Sequence, residues 1–415
     1  MDDRIMNKPQ LATVLCGGLG TRMHPYTKTR PKPMILCDEK PFLFHLLSQI
    51  AELGIRRFLL LIGYLGEQIE EYFGDGREWG WEIHYSKGPV AWNTGKRIWE
   101  ARNDLDERFL LLYSDNFSPY PLEKAFALHE ENAPALTLMI SPKSPGNIAI
   151  DESKMVRHYD NHRSKELGFV EIGYMIAEKK RMLDFFDDVD CSLSNILQSM
   201  AKQGEICAFE QKDRYHSISD PSRWKKAEKY LTPKKILLLD RDGVINRKAP
   251  RGEYISSWEQ FKWIPENKVA IKMLAEEGFE FIIISNQAGI ARGMIKKEEL
   301  DRIHLNMKAD FAKDGVRILE VYICPHHWDE DCTCRKPNPG MLLQASQEYF
   351  FRLDRTLFIG DDVRDCQAAW NAGCDSIFIG EANELVNLPD NQRPICSVAS
   401  LWDSLSQIRE RFPSP

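Results

Sequence analysis

The sequence predicts an α/β protein built as two successive units, residues 1–231 and 232–415. Three observations carry this. At 415 residues the chain exceeds what one hydrophobic core ordinarily organises. Short apolar runs alternate with stretches of helical spacing, once near the start and again after residue 235. Both series end their runs at glycines or aspartates, where parallel strands present ligands. Between the series lies Leu231-Thr232-Pro233-Lys234-Lys235, a polar break containing a proline, followed at once by the apolar run Ile236 to Leu239 and the pair Asp240 and Asp242.

Composition narrows the class. Hydrophobic content of 43% with 28% charge is that of a soluble globular protein, and no run approaches the ~20 apolar residues that cross a bilayer. Residues 1–10 carry mixed charge and no apolar signal core, so a cytoplasmic protein is expected. A net charge of -7 argues against a nucleic-acid partner, because phosphate neutralisation wants a basic face. A few local lysines and arginines still suffice for small anions. Ten cysteines without an export signal read as thiols or metal ligands rather than disulfides. A homo-oligomer is left open.

Leu11 to Leu15 reads as a strand buried on both faces, running into Cys16-Gly17-Gly18-Leu19-Gly20-Thr21-Arg22. Glycines let the backbone turn and bring N–H groups against phosphate oxygens, and Arg22 adds a planar fork of donors. A bare strand-to-helix turn is the competing reading. Pro31-Lys32-Pro33-Met34 places a lysine in an extended segment, since each proline restricts itself and the residue before it. Helical spacing over Phe44 to Leu53 stops at Gly54, and Phe58 to Ile62 is a strand ending at Gly63-Tyr64. Gly66 to Phe73 is a short amphipathic helix, and Phe109 to Tyr113 is a strand ending at Ser114-Asp115-Asn116. The alternation implies a parallel sheet.

With Thr94-Gly95 and Gly173-Tyr174, this ordered set resembles the sugar-phosphate nucleotidyltransferases, over nearly the whole N-terminal half. The resemblance implies a Rossmann-like domain in which Gly17, Gly18, Gly20, Thr21 and Arg22 hold a nucleoside triphosphate, Lys32 neutralises phosphate and Asp115 binds Mg²⁺. Thr94 and Gly95 join the substrate site. A sugar 1-phosphate oxygen would attack the α-phosphorus and release pyrophosphate, which needs positioning and charge neutralisation. Several residues depart from the family. Ser217 in Tyr215-His216-Ser217-Ile218-Ser219-Asp220-Pro221 stands where a second metal carboxylate is expected, so either Asp220 substitutes or one carboxylate suffices. Lys165 or Arg163 is expected at the sugar phosphate. Glu171 either accepts from sugar hydroxyls or is a solvated strand-edge residue. The basic pair Lys96-Arg97 resembles the branch that uses CTP.

In the second half Ile236 to Leu239 is a strand delivering Asp240 and Asp242. Phe281 to Ile284 ends at Ser285-Asn286-Gln287, Val321 to Ile323 at Cys324, and Leu357 to Ile359 at Gly360-Asp361-Asp362-Val363-Arg364-Asp365; Arg335-Lys336-Pro337 supplies a cation. A hydroxyl, a lysine and clustered aspartates at strand ends make a phosphoryl-transfer site with Mg²⁺. Cys324, His326, Cys332 and Cys334 form a set of three thiolates and an imidazole suited to structural Zn²⁺. Leu401 to Arg411 is a short amphipathic helix.

This half resembles the haloacid dehalogenase superfamily, again Rossmann-like and here with a zinc loop. That implies Asp240 as nucleophile, Asp242 as general acid and then base, Ser285 and Lys336 on the phosphoryl group, and Mg²⁺ on Asp240, Asp361 and the Asp242 carbonyl. Within it, Gly289-Ile290-Ala291-Arg292-Gly293 and Pro339-Gly340-Met341 favour the heptose bisphosphate phosphatases, with Asn286, Arg292 and Arg335 as further contacts. Histidinol-phosphate phosphatases share the zinc loop and stay as the alternative, the first half then being a non-catalytic nucleotide-binding module. If the second unit removes the 7-phosphate of a heptose 1,7-bisphosphate, its product is the acceptor the first unit requires. The expected partners are therefore a nucleoside triphosphate, GTP favoured over CTP, and heptose phosphates.

Overall fold

The computed structural model describes residues 8–186, 190–213, 215–250 and 252–412. Most of the charge-mixed start of the chain, residues 1–7, lies outside them. The chain folds as two compact units, Met1–Leu231 and Thr232–Pro415.

In the first unit Leu11–Cys16, buried at every position, is flanked in parallel by Arg57–Ile62 and Arg108–Tyr113, with Glu82–Lys87 outside the former. Such strands read as continuous apolar runs because helices cover both faces. Phe42–Glu52 is one of these helices, burying Leu43, Leu46, Leu47 and Ile50. The expectation of a parallel sheet is corrected on the other side. Phe169–Glu178 pairs antiparallel with Arg108–Tyr113 and with Leu136–Pro142, and the nine-stranded sheet is mixed. A second correction concerns Lys32: Lys32–Met34 is a 3-10 turn rather than extended, and only Pro31 is extended at ψ 145. Pro33 fits this because its fixed φ suits a helical turn and its missing N–H is not needed in the first turn.

The second unit is a six-stranded parallel sheet in the spatial order Ile318–Cys324, Glu280–Asn286, Ile236–Leu239, Leu357–Gly360, Asp375–Ile379, Cys396–Val398. The helix expected over Leu401 to Arg411 divides into a 3-10 turn, Trp402–Ser404, and Leu405–Arg411, which buries Leu405 and Ile408. No helix among the described residues is long and apolar enough to cross a membrane.

In each sheet the strand that comes first in sequence lies centrally, and the chain departs to one side before returning to the other. The loops after the central strand and its later partner therefore part, leaving a crevice at the carboxyl ends. In the first unit the crevice opens between Cys16 and Ser114. In the second it opens between Leu239 and Gly360.

Arg97 braces the first crevice from beneath. It is 4% exposed and donates to the carbonyls of Ile62 (2.8 Å), Pro89 (2.7 Å) and Gly17 (3.3 Å). Removing a donor from a buried carbonyl costs about 1–3 kcal/mol. Arg97→Met is therefore expected to destabilise the first unit by on the order of 3 kcal/mol or more while the fold of the second persists. Denaturant titration would check it, and an unchanged midpoint would refute the bracing role.

Candidate active sites

The first crevice is a cavity of about 420 Å³ lined by Gly17, Gly18, Gly20, Thr21, Arg22, Lys32, Thr94 and Asp115, together with Trp92 and Tyr113. Segments far apart in sequence thus meet at one sheet end. Gly20 sits at φ +63, and a Cβ there would lie 2.9 Å from the Lys32 Cβ, so the turn demands glycine. Thr27 Oγ1 locks the same turn by donating to the Gly20 carbonyl (2.9 Å). At Gly17 a Cβ would fall 2.3 Å from the Arg97 guanidinium. The Lys32 ammonium pairs with the Asp115 carboxylate, and Ser114 Oγ donates to the Leu15 carbonyl (2.6 Å) across the opening.

Other residues singled out by sequence lie off this cavity lining. A Cβ at Gly95 would meet the Cys191 carbonyl at 2.5 Å, so that glycine permits close packing. Lys165 and Arg163 are exposed. Glu171 is not solvated: burial raises its carboxyl to about 7, the Tyr113 hydrogen bond opposing this and the Asp115 charge adding to it. Ser217 pairs with Asn116, and the Ile218 N–H donates to the Asp115 carbonyl (3.0 Å). Asp220 instead accepts from the Arg223 backbone N–H (2.9 Å) at the start of the helix Pro221–Leu231. Among the described residues no group of three metal-donor side chains forms around Asp115.

The second crevice, about 170 Å³, is lined by Asp240, Asp242, Lys248, Ser285, Asn286, Lys336, Asp361, Asp362, Arg364 and Asp365. Lys336, 3% exposed, donates to Asp240 Oδ1 (2.8 Å) and the Ile284 carbonyl (3.0 Å), and lies 2.7 Å from Asp365 Oδ1. Burial raises the Asp240 carboxyl to about 7, with Lys336 opposing and Asp365 and Asp242 adding. Asp361 rises to about 8, first by burial and then by the Asp240 charge, and pairs with Lys248. Asp242 is held the other way. Despite burial, Arg241 (2.7 Å), Asn246 (2.8 Å) and Gln287 (2.9 Å) bring it below its ordinary range. Asn286 exchanges two 3.1 Å hydrogen bonds with the Lys336 backbone. Asp240, Asp361 and Asp365 offer oxygens close enough for one cation. Arg292 stacks on Tyr254 and Trp328, and neither it nor Arg335 lines the crevice.

Arg241, Gln287, Lys248 and Asp365 were not assigned roles from sequence. Asp365 did carry a signal, three residues after Asp362 at a helix start, where the two form a capping box. For Lys248 there was none.

Cys324, His326, Cys332 and Cys334 bring four donor atoms within 4.8 Å of one another. Cys324 Sγ lies 3.7 Å from Cys332 Sγ and 3.5 Å from His326 Nδ1. A tetrahedron with Zn–S near 2.3 Å has edges of about 3.7 Å, so the donor set fits zinc.

Residues 11–161 match the nucleotidyl transferase family model, and residues 333–402 match the haloacid dehalogenase hydrolase-like model. With the two crevices, these matches define an enzyme that joins a nucleotidyltransferase to a phosphatase. The D-glycero-alpha-D-manno-heptose-1,7-bisphosphate 7-phosphatase of Photorhabdus laumondii is 36% identical over 152 residues, 35% of this chain and 81% of that protein. The D-glycero-beta-D-manno-heptose-1,7-bisphosphate 7-phosphatase of Pseudomonas aeruginosa is 35% identical over 173 residues, 42% and 94% respectively. The chain belongs to this heptose-1,7-bisphosphate 7-phosphatase family. A crystal structure of HddC from Yersinia pseudotuberculosis with GMP-PN aligns over 52% of this chain and 97% of its own, at 22% identity and TM-score 0.46.

His304 gives the second site a pH signature. It accepts from Arg241 (3.0 Å), and burial first, then the Arg241 charge, lowers it from 6.5 to about 3. The folded state then binds fewer protons than the unfolded, so this contribution is complete above pH 6.5 and is lost as pH falls toward 3. His304→Gln is expected to flatten the decline in urea midpoint between about pH 7 and 4.5. An unchanged slope would assign the acid sensitivity elsewhere.

Proposed function

We propose that the second unit hydrolyses the 7-phosphate of a D-glycero-D-manno-heptose 1,7-bisphosphate and that the first transfers a nucleotidyl group, GTP favoured, to the resulting heptose 1-phosphate. The observation that carries this is that both crevices belong to one chain. Relatives of the phosphatase are named for removing the 7-phosphate, which leaves the sugar 1-phosphate a nucleotidyltransferase needs as acceptor. The α-anomer follows from the resemblance of the first unit to the sugar-phosphate nucleotidyltransferases; relatives named for each anomer resemble this chain to nearly the same degree and do not separate the two.

In the hydrolysis a carboxylate oxygen of Asp240 attacks phosphorus, the ester bond breaks, and Asp242 supplies the leaving oxygen with its proton. Water then attacks the phosphorus of the aspartyl-phosphate and gives a proton to Asp242, while the bond from phosphorus to the Asp240 oxygen breaks and inorganic phosphate leaves. The Arg241, Asn246 and Gln287 clamp favours the ionised form that this second step uses. Ser285 and Lys336 orient the phosphoryl group. Asp240, Asp361 and the Asp242 carbonyl would hold Mg²⁺ in this unit, and Asp115 would hold it in the first. Bound there, Mg²⁺ offsets the charge gathered by carboxylates and phosphates. Structural zinc is assigned to Cys324, His326, Cys332 and Cys334, and the work to the cytoplasm.

Two alternatives lose support. Arg97, one reason to consider CTP, is committed to backbone carbonyls beneath the glycine turn. The relatives described above are named for heptose bisphosphates, not histidinol phosphate.

Incubating heptose 1,7-bisphosphate with each nucleoside triphosphate and identifying the nucleotide sugar tests order, base and anomer together. Asp240→Asn is expected to lower phosphate release on the order of a thousandfold or more while transfer to supplied heptose 1-phosphate stays within about twofold. Loss of both activities would overturn the division of labour. Cys332→Ser is expected to lower bound zinc from about one per chain and to destabilise the loop before Lys336. A wild-type protein free of zinc on metal assay would withdraw that assignment.

A further inference from the structure

Beyond the glycine turn the first unit gathers positive charge at a second place. Arg223, in the first turn of Pro221–Leu231, directs its guanidinium to Ser217 Oγ (3.0 Å), Ser219 Oγ (3.3 Å) and the Tyr215 hydroxyl (3.2 Å). Its centre also lies 5.4 Å from the Tyr215 ring centroid. Among the described residues these guanidinium hydrogen bonds all go to neutral hydroxyls. The positive charges of Lys143 and Arg163 also act on the same phenol. Burial would raise Tyr215, yet Arg223, Lys143 and Arg163 together bring it below its ordinary range. The single Asp220 carboxylate, bonded to the Arg223 backbone N–H and the Ser219 hydroxyl, offsets only part of the charge of three cations, and an incoming anion would relieve the repulsion that remains.

The position of the cluster says which anion. Ser217 pairs with Asn116 and the Ile218 N–H is bound to the Asp115 carbonyl, so the Arg223 guanidinium reaches the strand pair directly after Asp115. Asp115 also lines the first cavity, as do Arg22 and the glycine turn. Transfer between two anions needs a cationic seat for each, and Arg22 and Lys32 already serve the triphosphate end.

We propose that Arg223 binds the phosphate of the acceptor sugar, with Lys143 and Arg163 completing the field around it; this rests on the nucleotidyltransferase reading above. An acceptor phosphate oxygen forms the new bond to the α-phosphorus, the bond from that phosphorus to the bridging oxygen breaks, and pyrophosphate leaves with the electron pair. Charge balances without a proton transfer. The guanidinium fork matches two phosphate oxygens, and exchanging hydroxyl partners for phosphate replaces neutral hydrogen bonds by charge-assisted ones. Ser217, Ser219 and Tyr215 hold the fork ready in the meantime.

The test is calorimetric binding of heptose 1-phosphate and of GTP to the full chain, wild type against Arg223→Ala. Acceptor affinity is expected to fall about tenfold or more while GTP affinity stays within about twofold. Any affinity of the phosphatase site for the ligand is common to both proteins, so the difference isolates the first unit. Where turnover is measured, the acceptor KM should rise and the GTP KM should not. Unchanged acceptor affinity overturns the proposal. If GTP binding falls in step, Arg163→Ala decides: the exposed residue should cost acceptor affinity about threefold or more, and no change overturns the proposal. Because binding needs no turnover, a wild type that releases no pyrophosphate with any nucleotide would defeat the transferase reading while leaving this comparison interpretable.

Discussion

Both units place their chemistry where the parallel strands of a sheet reverse their order, and that constraint decides which residues can meet. At such a point two neighbouring loops leave in opposite directions, and the backbone just past the last paired residues faces open space. Leu15 pairs with Tyr113, so Gly17 and Asp115 project together although nearly a hundred residues separate them. Leu239 pairs with Ile359, so Asp240 and Asp361 do the same. The apolar strands are the means to this end. Buried on both faces, they cannot slip without moving core residues into the crevice, and so they hold the register that sets each wall.

Bringing charge to these walls has a cost that the structure meets in two ways. Short-range pairing comes first: Lys336 lies between Asp240 and Asp365, Lys32 on Asp115, and Lys248 on Asp361. Lys336 is the buried one of the three, and breaking such a pair by removing one partner typically costs about 3–5 kcal/mol, so that lysine is structural before any phosphate arrives. A buried arginine under each crevice is the second. Arg97 satisfies carbonyls where the glycine turn lacks side chains, and Arg241, fully buried, grips Asp242 from behind while resting on neutral His304. Arg97 lines the first cavity, whereas Arg241 lies outside the lining of the second, and each shapes a wall through the groups it holds.

What the sequence reveals follows from how local the signal is. Ile236 to Leu239 is legible as a strand because four apolar residues sit between a proline break and an acidic pair, and the glycine turn because three glycines within four residues leave few alternatives. The cysteine cluster is legible for the same reason. Phe169–Glu178 was not assigned: a strand buried on both faces has no alternation to betray it. Arg97 escaped for a different reason. Its partners are carbonyls of residues 17, 62 and 89, and nothing in a Lys-Arg pair tells which of the two is buried. Glu171 is open to two readings in the sequence because a single polar residue in an apolar run can face either way, and the packing of Tyr113 and Tyr159 around it places its carboxyl in the interior.

The cysteine loop ties these strands of argument together. Cys332 and Cys334 immediately precede Lys336, and the segment is closed on itself: Asn338 donates to the Cys332 carbonyl (2.8 Å) and the Gly340 N–H to the Thr333 carbonyl (3.1 Å). A Cβ at Gly340 would lie 2.4 Å from that Thr333 oxygen, so the closure leaves no room for a larger residue. Burial and then the neighbouring thiols push Cys334 up to about 12. Ionised sulfurs this close repel one another unless a dication is shared among them, so the geometry of the loop itself favours a metal. Whatever holds those four donors together also fixes the start of the segment that aims Lys336, while Asn286 fixes its backbone from the strand side. An ion bound there would then govern how firmly Lys336 is held between Asp240 and Asp365.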